Sequence, residues 1–542
     1  PKGIAVDGKG NVFISDTGNS QVLELTPNGY GGFNDPVVVV NNQNDGIYRP
    51  MGLAFDRWGN LYIAAGGYFG ISATVKVTLS GGLDLGTAAP GVGHDDGVLN
   101  FLFNDSVKLN VTTPFQVLTQ GVSGQDFTNE TMSQYVEIER GGDCGYGDCN
   151  TCHPGQTYNV GASCNVATQF SPLYSGTRNG AVVLFDSDGN AASTVYLRGA
   201  GKAAQITFSP GTQSVVASGF QVLNGVAVDG SGNIYIVDSH NKEVLKETPS
   251  AGGYTESVVA DGLVYPVGVA LDGAGNVYIS DGSGVNARVL KETLKLDGTY
   301  TQSVVADQNS LPYPLSQPQG VAVDGSGNVY IVDGTGANAG VLKETLQPDG
   351  TYTQSIIVDI GLCSPHYVAV DGSGNVYITD TYNSLVLKET LQLDGTYAES
   401  LVVDEYTFSQ PNGVAVDGSG NVYIADAGSQ RVLKETLQPD GTYAQSVVAE
   451  GLVSPVGVAV DAVGNVYIVD AGSKRVLKEN RADAPALNFG TVNPGTTSAP
   501  QSVEIINNGN DTLIFSGLTV DSPFTQVLGS SPLADCRPTS QL

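Results

Sequence analysis

One stretch, GVAVDGSGNVYIAD at Gly413–Asp426, constrains the fold of this chain more than any other feature, because it recurs. Close copies begin at Gly225, Gly268, Gly320 and Gly457, a variant spans Tyr367–Asp380, and degenerate copies begin at Gly3 and Gly52. Gly-Val-Ala-Val-Asp alternates with the period of a strand. Asp-Gly-Ser-Gly-Asn is a tight turn: its glycines supply positive φ, and its Asp and Asn hydrogen-bond the local backbone. Asn-Val-Tyr-Ile returns as a second strand, rich in β-branched and aromatic residues. Arg431–Thr436 reads as a third strand, Pro439–Tyr443 as another turn and Gln445–Ala449 as a fourth strand. Four short antiparallel strands per repeat make one propeller blade, so the fold class is all-β.

The strand count says how the ring closes. Residues 212–480 carry six repeats, whose turn aspartates are Asp229, Asp272, Asp324, Asp371, Asp417 and Asp461. Thr212–Ala217 reads TQSVVA, identical to the fourth strand at Thr301–Ala306, yet it precedes the first repeat. The last repeat ends at Asn480 after its third strand. The early strand is therefore expected to complete the last blade, pairing with Arg475–Lys478 and closing a six-bladed propeller.

The Pro-x-Gly-Val-Ala-Val-Asp opening, Gly-Asn-Val-Tyr-Ile and Arg-Val-Leu together resemble the NHL family of β-propellers, over about half the chain. Residues 1–80 hold two further repeats and read as the last blades of a truncated propeller at the N-terminus. Between them, residues 81–211 change texture to short strands at sandwich spacing. Gly161–Val166 and Gln169–Arg178 resemble Ig-like modules of bacterial surface and secreted proteins, of the ASPM–SPD-2–Hydin and choice-of-anchor type. Ala484–Gly495 resembles the opening of a second such module, which makes 481–542 a truncated Ig-like β-sandwich. Pro1 falls inside a repeat, so the chain reads as a fragment with further modules at both ends.

Composition narrows the partners. There are 54 acidic against 24 basic residues, a formal charge of −30. Some NHL propellers bind RNA, but that needs a basic face to meet phosphates, so nucleic acid and anionic membrane surfaces are excluded as partners. No apolar run is long enough to span a bilayer, so no membrane insertion is expected. Four of the six cysteines, Cys144, Cys149, Cys152 and Cys164, fall in one short segment, which suits a disulfide cluster in an extracellular or cell-surface protein.

Three patterns raise the question of chemistry. Cys149-Asn-Thr-Cys152-His153 matches the C-x-x-C-H attachment pattern of c-type haem, in which two thiols add to vinyl groups and the His binds iron. The strand- and turn-rich context favours disulfides instead, and the Ig-like resemblance implies that Cys164 pairs with Cys149 or Cys152. The repeated aspartates, with a second series at Asp238, Asp281, Asp333, Asp380, Asp426 and Asp470, could bind calcium. Residues repeated in every blade usually serve the blade, so no cofactor is expected. Six-bladed propellers also include lactonases and lyases, whose sites need His, Asn, Glu or Asp on the axis; the second propeller has only His240 and His366.

The expected function is non-enzymatic recognition or scaffolding, with a protein or glycan ligand held by loops that differ between repeats. Those loops, after strand two and before strand one, lie on one face of the ring. They carry His240, Tyr265, Tyr313, His366, Tyr382, Tyr406, Phe408, Arg431 and Arg475, side-chain types that supply much of the energy at interfaces. The opposite face consists of near-identical turns.

Overall fold

A computed structural model describes the chain apart from residues 7–10, 26–31, 34–35, 42–48, 56–59, 67–71, 79–81, 91–93, 104, 130–150, 161, 335–338, 348, 360, 393, 404–406, 439, 495, 516–518, 521 and 526–542. Two single-turn 3-10 segments aside, every regular element among the described residues is a strand. No helix among them is long and apolar enough to cross a membrane.

Six four-stranded antiparallel sheets form a ring, numbered here 1 to 6 in chain order. Their first strands are Leu223–Val228, Pro266–Leu271, Pro318–Val323, Pro365–Val370, Pro411–Val416 and Pro455–Val460. Each touches the next, and the sixth touches the first. The second strands, such as Val466–Asp470, are buried along their length, apart from the half-buried Asp333 that ends the one in sheet 3, as expected for strands covered on both faces. Sheet 6 takes its outer strand from Thr212–Ser218, paired antiparallel with Arg475–Asn480 in the register Thr212↔Asn480 to Ser218↔Arg475. This is the closing strand that the strand count required.

The repeat's identities have local causes. In sheet 1, Asp229 Oδ1 accepts from the backbone N–H groups of Ser231 and Asn233, while Oδ2 accepts from Asn233 Nδ2 and the Tyr235 hydroxyl. The same four bonds recur around Asp272 and its equivalents. Each of these tyrosines is buried and carries the lysine of strand three over its ring, as Lys291 lies 5.3 Å from the Tyr278 centroid. The turn aspartates thus hold the blade together.

The described residues between Gly82 and Gly201 form a two-sheet sandwich. One sheet orders Val122–Ser123, Phe115–Thr119, Gly176–Phe185, Ala191–Gly201 and Gly82–Ala88, the last pair parallel. The other orders Phe127–Asn129, Ser163–Phe170 and His94–Leu102. Leu99, Phe101, Phe127, Phe170, Val182 and Leu197 pack between them. Cys152 and Cys164 are disulfide-bonded within this core. Near the N-terminus, a four-stranded sheet from Ile4 to Asn41 packs beside a three-stranded one from Pro50 to Thr78. After the ring, Glu504–Asn507 pairs with Ile206–Ser209.

Candidate functional site

The two faces of the ring are not equivalent. The face bearing the Asp-Gly-Ser-Gly-Asn turns is covered by the chain itself. The Gly121 N–H donates to Gly273 O at 3.1 Å and the Thr177 N–H to Gly418 O at 2.7 Å. Gln125 Nε2 reaches Gly230 O at 2.8 Å, Arg198 reaches Gly372 O at 3.1 Å, and Gln205 Nε2 reaches Ala462 O at 3.0 Å. The buried Tyr196 hydroxyl donates to Asp272 Oδ2 at 2.7 Å. At sheet 5, Asn508 inserts between Asp417, Tyr423 and Lys434. The sandwich that the sequence places between two runs of repeats therefore sits directly on the ring.

This docking explains a residue that turn geometry does not. Only the second glycine of each turn has positive φ, as at Gly275 (83°) and Gly420 (87°). The first glycine is there for close approach. A Cβ on Gly418 would lie 2.9 Å from the Thr177 backbone nitrogen, and one on Gly273 would overlap the Gly180 carbonyl. In sheet 6, where Gln205 makes the contact through its side chain, the position is Ala462.

Between sandwich and ring, on the axis, lies a chamber of about 100 Å³ lined by Thr177, Asn179, Val228, Val370, Val416 and Val460. Toward the other face, five of the six first strands carry Gly where they pack closely; sheet 4 carries Tyr367. Its hydroxyl reaches across to Val267 O of sheet 2 at 3.4 Å, so a phenol stands in the axial space. Burial holds this phenol neutral, well above the usual tyrosine range.

Among the described residues, the face left open is the one with variable loops. Tyr382 is 78 % exposed, Tyr265 50 % and Tyr313 38 %, and His240 is also exposed. Their backbones are fixed: Tyr265 N–H donates to Asp281 Oδ1 at 2.8 Å, His240 N–H to Asp238 Oδ1 at 3.1 Å, and Tyr382 N–H to Cys363 O at 3.1 Å. The second aspartate series thus anchors the loops, and burial raises the Asp333 and Asp380 carboxyls above the ordinary range. His366 is half-buried, with Nδ1 unpartnered among the described residues; desolvation lowers its pKa, keeping the imidazole neutral at pH 7.

Three of the sequence-derived residues are placed otherwise. Phe408 is 6 % exposed and packs in the core with Tyr377, Val414 and Ile424, because it occupies the repeat position held elsewhere by Leu263, Leu315, Leu362 and Leu452. Arg431 and Arg475 spend their guanidinium groups on Asp426 and Asp470, each at 3.1 Å. Tyr406, Cys144 and Cys149 lie outside the described residues. A thioether-linked haem does not fit at Cys149–His153, since attachment needs a thiol that Cys152 gives to the disulfide with Cys164. Among the described residues, no three His, Cys, Asp or Glu side chains are grouped so as to hold a metal ion.

Sequence reasoning missed a groove of about 450 Å³ at the seam of the ring, between the closing strand and sheet 1. Its walls include Phe220, Asp238, Glu243, Glu247, Tyr254 and Glu256. Burial, with Asp238 and Glu256 nearby, raises the Glu243 carboxyl; burial and Glu256 raise Glu247. The readable signal was Glu243 itself, a carboxylate where three sister repeats have Arg.

The NHL repeat pattern matches residues 362–388 and 408–434, in sheets 4 and 5. No curated protein matches the chain. Among solved structures, a gluconolactonase from Xanthomonas campestris is 15% identical, covering 50% of this chain and 90% of that one, at a TM-score of 0.41. Regucalcin from Agrobacterium tumefaciens, a calcium-binding protein, is 13% identical over 50% of this chain and 94% of that one, at 0.41. A PQQ-bound aldose sugar dehydrogenase from Streptomyces coelicolor is 15% identical over 51% and 98%, at 0.37. This chain carries NHL repeats on an all-β, propeller-type fold.

Proposed function

We propose that the chain is a non-enzymatic, extracellular recognition or scaffold protein whose six-bladed propeller binds a protein or glycan through its open face, with the sandwich acting as an Ig-like module. The observation that carries this reading is the asymmetry of the ring. Its uniform turns are consumed by an internal interface, and its variable loops hold exposed Tyr265, Tyr313 and Tyr382 on backbones whose N–H groups donate to Asp281, Gln354 and the Cys363 carbonyl in turn. Rigid presentation of aromatic side chains is how interfaces gain energy at low entropic cost. The Cys152–Cys164 disulfide supports an oxidising compartment, and the charge of −30 favours neutral or basic partners. The reading calls for no cofactor.

A lactonase- or lyase-like enzyme is the competing reading, drawn from the six-bladed propellers that carry such activities. Chemistry on the axis would need ligands converging where Tyr367 stands. The test is a glycan and protein array probed with the full chain. Any hit is re-measured with Tyr265, Tyr313 and Tyr382 replaced by Ala, and with Val258→Thr and Val304→Thr on the exposed outer strands as a control. Replacing the tyrosines should weaken binding at least about thirtyfold, as loss of ~2 kcal/mol or more at a hot spot implies. Equal loss in the control, or none in the tyrosine variant, would sink the open-face assignment.

A further inference from the structure

The groove at the ring seam departs from two patterns, one kept by three sister sheets and the other by four. First, the residue facing the strand-two aspartate across the ladder is Arg288 in sheet 2, Arg431 in sheet 5 and Arg475 in sheet 6; in sheet 1 it is Glu243, opposite Asp238. In sheet 2 the guanidinium meets Asp281 Oδ2 through Nε at 3.0 Å and a terminal nitrogen at 2.8 Å. Second, the strand-three glutamate accepts a hydrogen bond from an outer-strand glutamine in four sheets: Gln302 to Glu292 (2.7 Å), Gln354 to Glu344 (2.8 Å), Gln445 to Glu435 (2.7 Å) and Gln213 to Glu479 (2.6 Å). In sheet 1 the facing residue is Glu256, and Glu247 has no hydrogen-bond or ion-pair partner among the described residues although it is only 5 % exposed. A carboxylate on so buried a side chain, open only to the groove and without a countercharge, favours a ligand that brings both donors and positive charge.

We propose that this groove takes the guanidinium side chain of a basic partner protein, which would fill from outside the place that an arginine of the chain fills in three sister sheets. The chemistry fits a planar organic cation better than a metal ion. The carboxylates line a groove of about 450 Å³, and no three of them come together as metal ligands. A guanidinium carries five N–H donors in a fork, can serve several separated carboxylates, and can stack on aromatic walls such as Phe220 and Tyr254. The groove opens beside His240 at the edge of the open face, so the proposal narrows the recognition reading to a basic protein.

The experiment uses the full chain and a capped Gly-Arg-Gly peptide, with the citrulline peptide as the neutral isostere and calcium chloride as a third titrant, followed by calorimetry. The arginyl peptide should saturate one site and bind at least roughly tenfold tighter than its citrulline counterpart, as bonds to charged groups imply. Glu243→Arg, which restores the sister-sheet bridge, should abolish that binding without lowering the melting temperature. Glu256→Gln, which restores the sister-sheet pair, should weaken it and decides the matter if Glu243→Arg does not fold. Equal binding of citrulline, binding that survives both variants, or stoichiometric calcium that displaces the peptide would overturn the proposal. The open-face tyrosine variant should bind the peptide normally, so failure of the open-face assignment and failure of this site are told apart.

Discussion

Glu399→Gln should stabilise the protein, and only at neutral pH and above. Sheet 4 shares with sheet 1 a Glu–Glu pair, Glu389 opposite Glu399, in place of the Glu–Gln pair of the other four sheets. Glu389 is 3 % exposed, and its carboxyl is pushed up to about 7, first by burial and then by the Glu399 charge. Against an ordinary value of 4.5, that raises the free energy of ionising Glu389 in place by about 3 kcal/mol. The substitution leaves the burial and removes the facing charge, and it adds the amide donor seen at 2.6–2.8 Å in the sister sheets. The recoverable part is therefore about 1–2 kcal/mol, or a rise of roughly 2–6 °C in Tm for a ring of this size. The sign follows from the direction of the perturbation. A carboxyl raised in the folded state gives stability that is complete below about 4.5 and is lost as pH rises through about 7. The variant's advantage should be full at pH 8 and close to nothing at pH 5. Thermal melts at the two pH values check this; an equal gain at both, or a loss at pH 8, would refute the account of the pair.

Gly273→Val should push the sandwich off the ring, since the new side chain meets the Gly180 carbonyl; hydrogen exchange should show faster exchange at Gly121 and Thr177 while the ring's second strands stay protected, with a cost of about 1–3 kcal/mol. Deleting Thr212–Ser218 should expose the edge of Arg475–Asn480 and produce aggregation visible by light scattering; a monomer that melts as wild type does would contradict the closure. Cys164→Ala should cost about 2–5 kcal/mol in the sandwich, read as a melting transition that reductant lowers in wild type and leaves unmoved in the variant.

The ring was legible because everything that defines it is local or countable. Turn chemistry, strand period and an extra copy of TQSVVA are all visible in one dimension, and the pairing of Thr212–Ser218 followed from counting strands. Side-chain roles on the open face were less legible. Phe408 looked like a rim aromatic because residue type was weighed before repeat position, and position decides burial when six copies share one core. Arg431 and Arg475 look free in sequence because the second aspartate series repeats in every blade whether or not an arginine faces it, so nothing marks Asp426 and Asp470 as counter-ions. The docked sandwich was illegible in kind: it joins turns spread over the ring to strands that precede it, and no periodicity reports such a match. Its one trace was the first glycine of the turn, repeated in five sheets and relaxed to Ala462 in the sixth.

The closing strand also fixes how the ring would bear tension. The chain enters at Thr212 and leaves at Asn480, which are paired with each other at the same end of sheet 6. A pull on the flanking segments would therefore peel this pair rung by rung instead of shearing all its bonds at once. Before it reaches that pair, the load must release Asn510 and Asn508 from Ala203 and Gln205 and then open Ile206–Ser209 from Glu504–Asn507, from the rung Ile206↔Asn507 inward. These four residues on each side act as a sacrificial clasp, and single-molecule extension should show a short opening step before the sheet gives way. A single long rip with no earlier step would mean that the clasp carries no load.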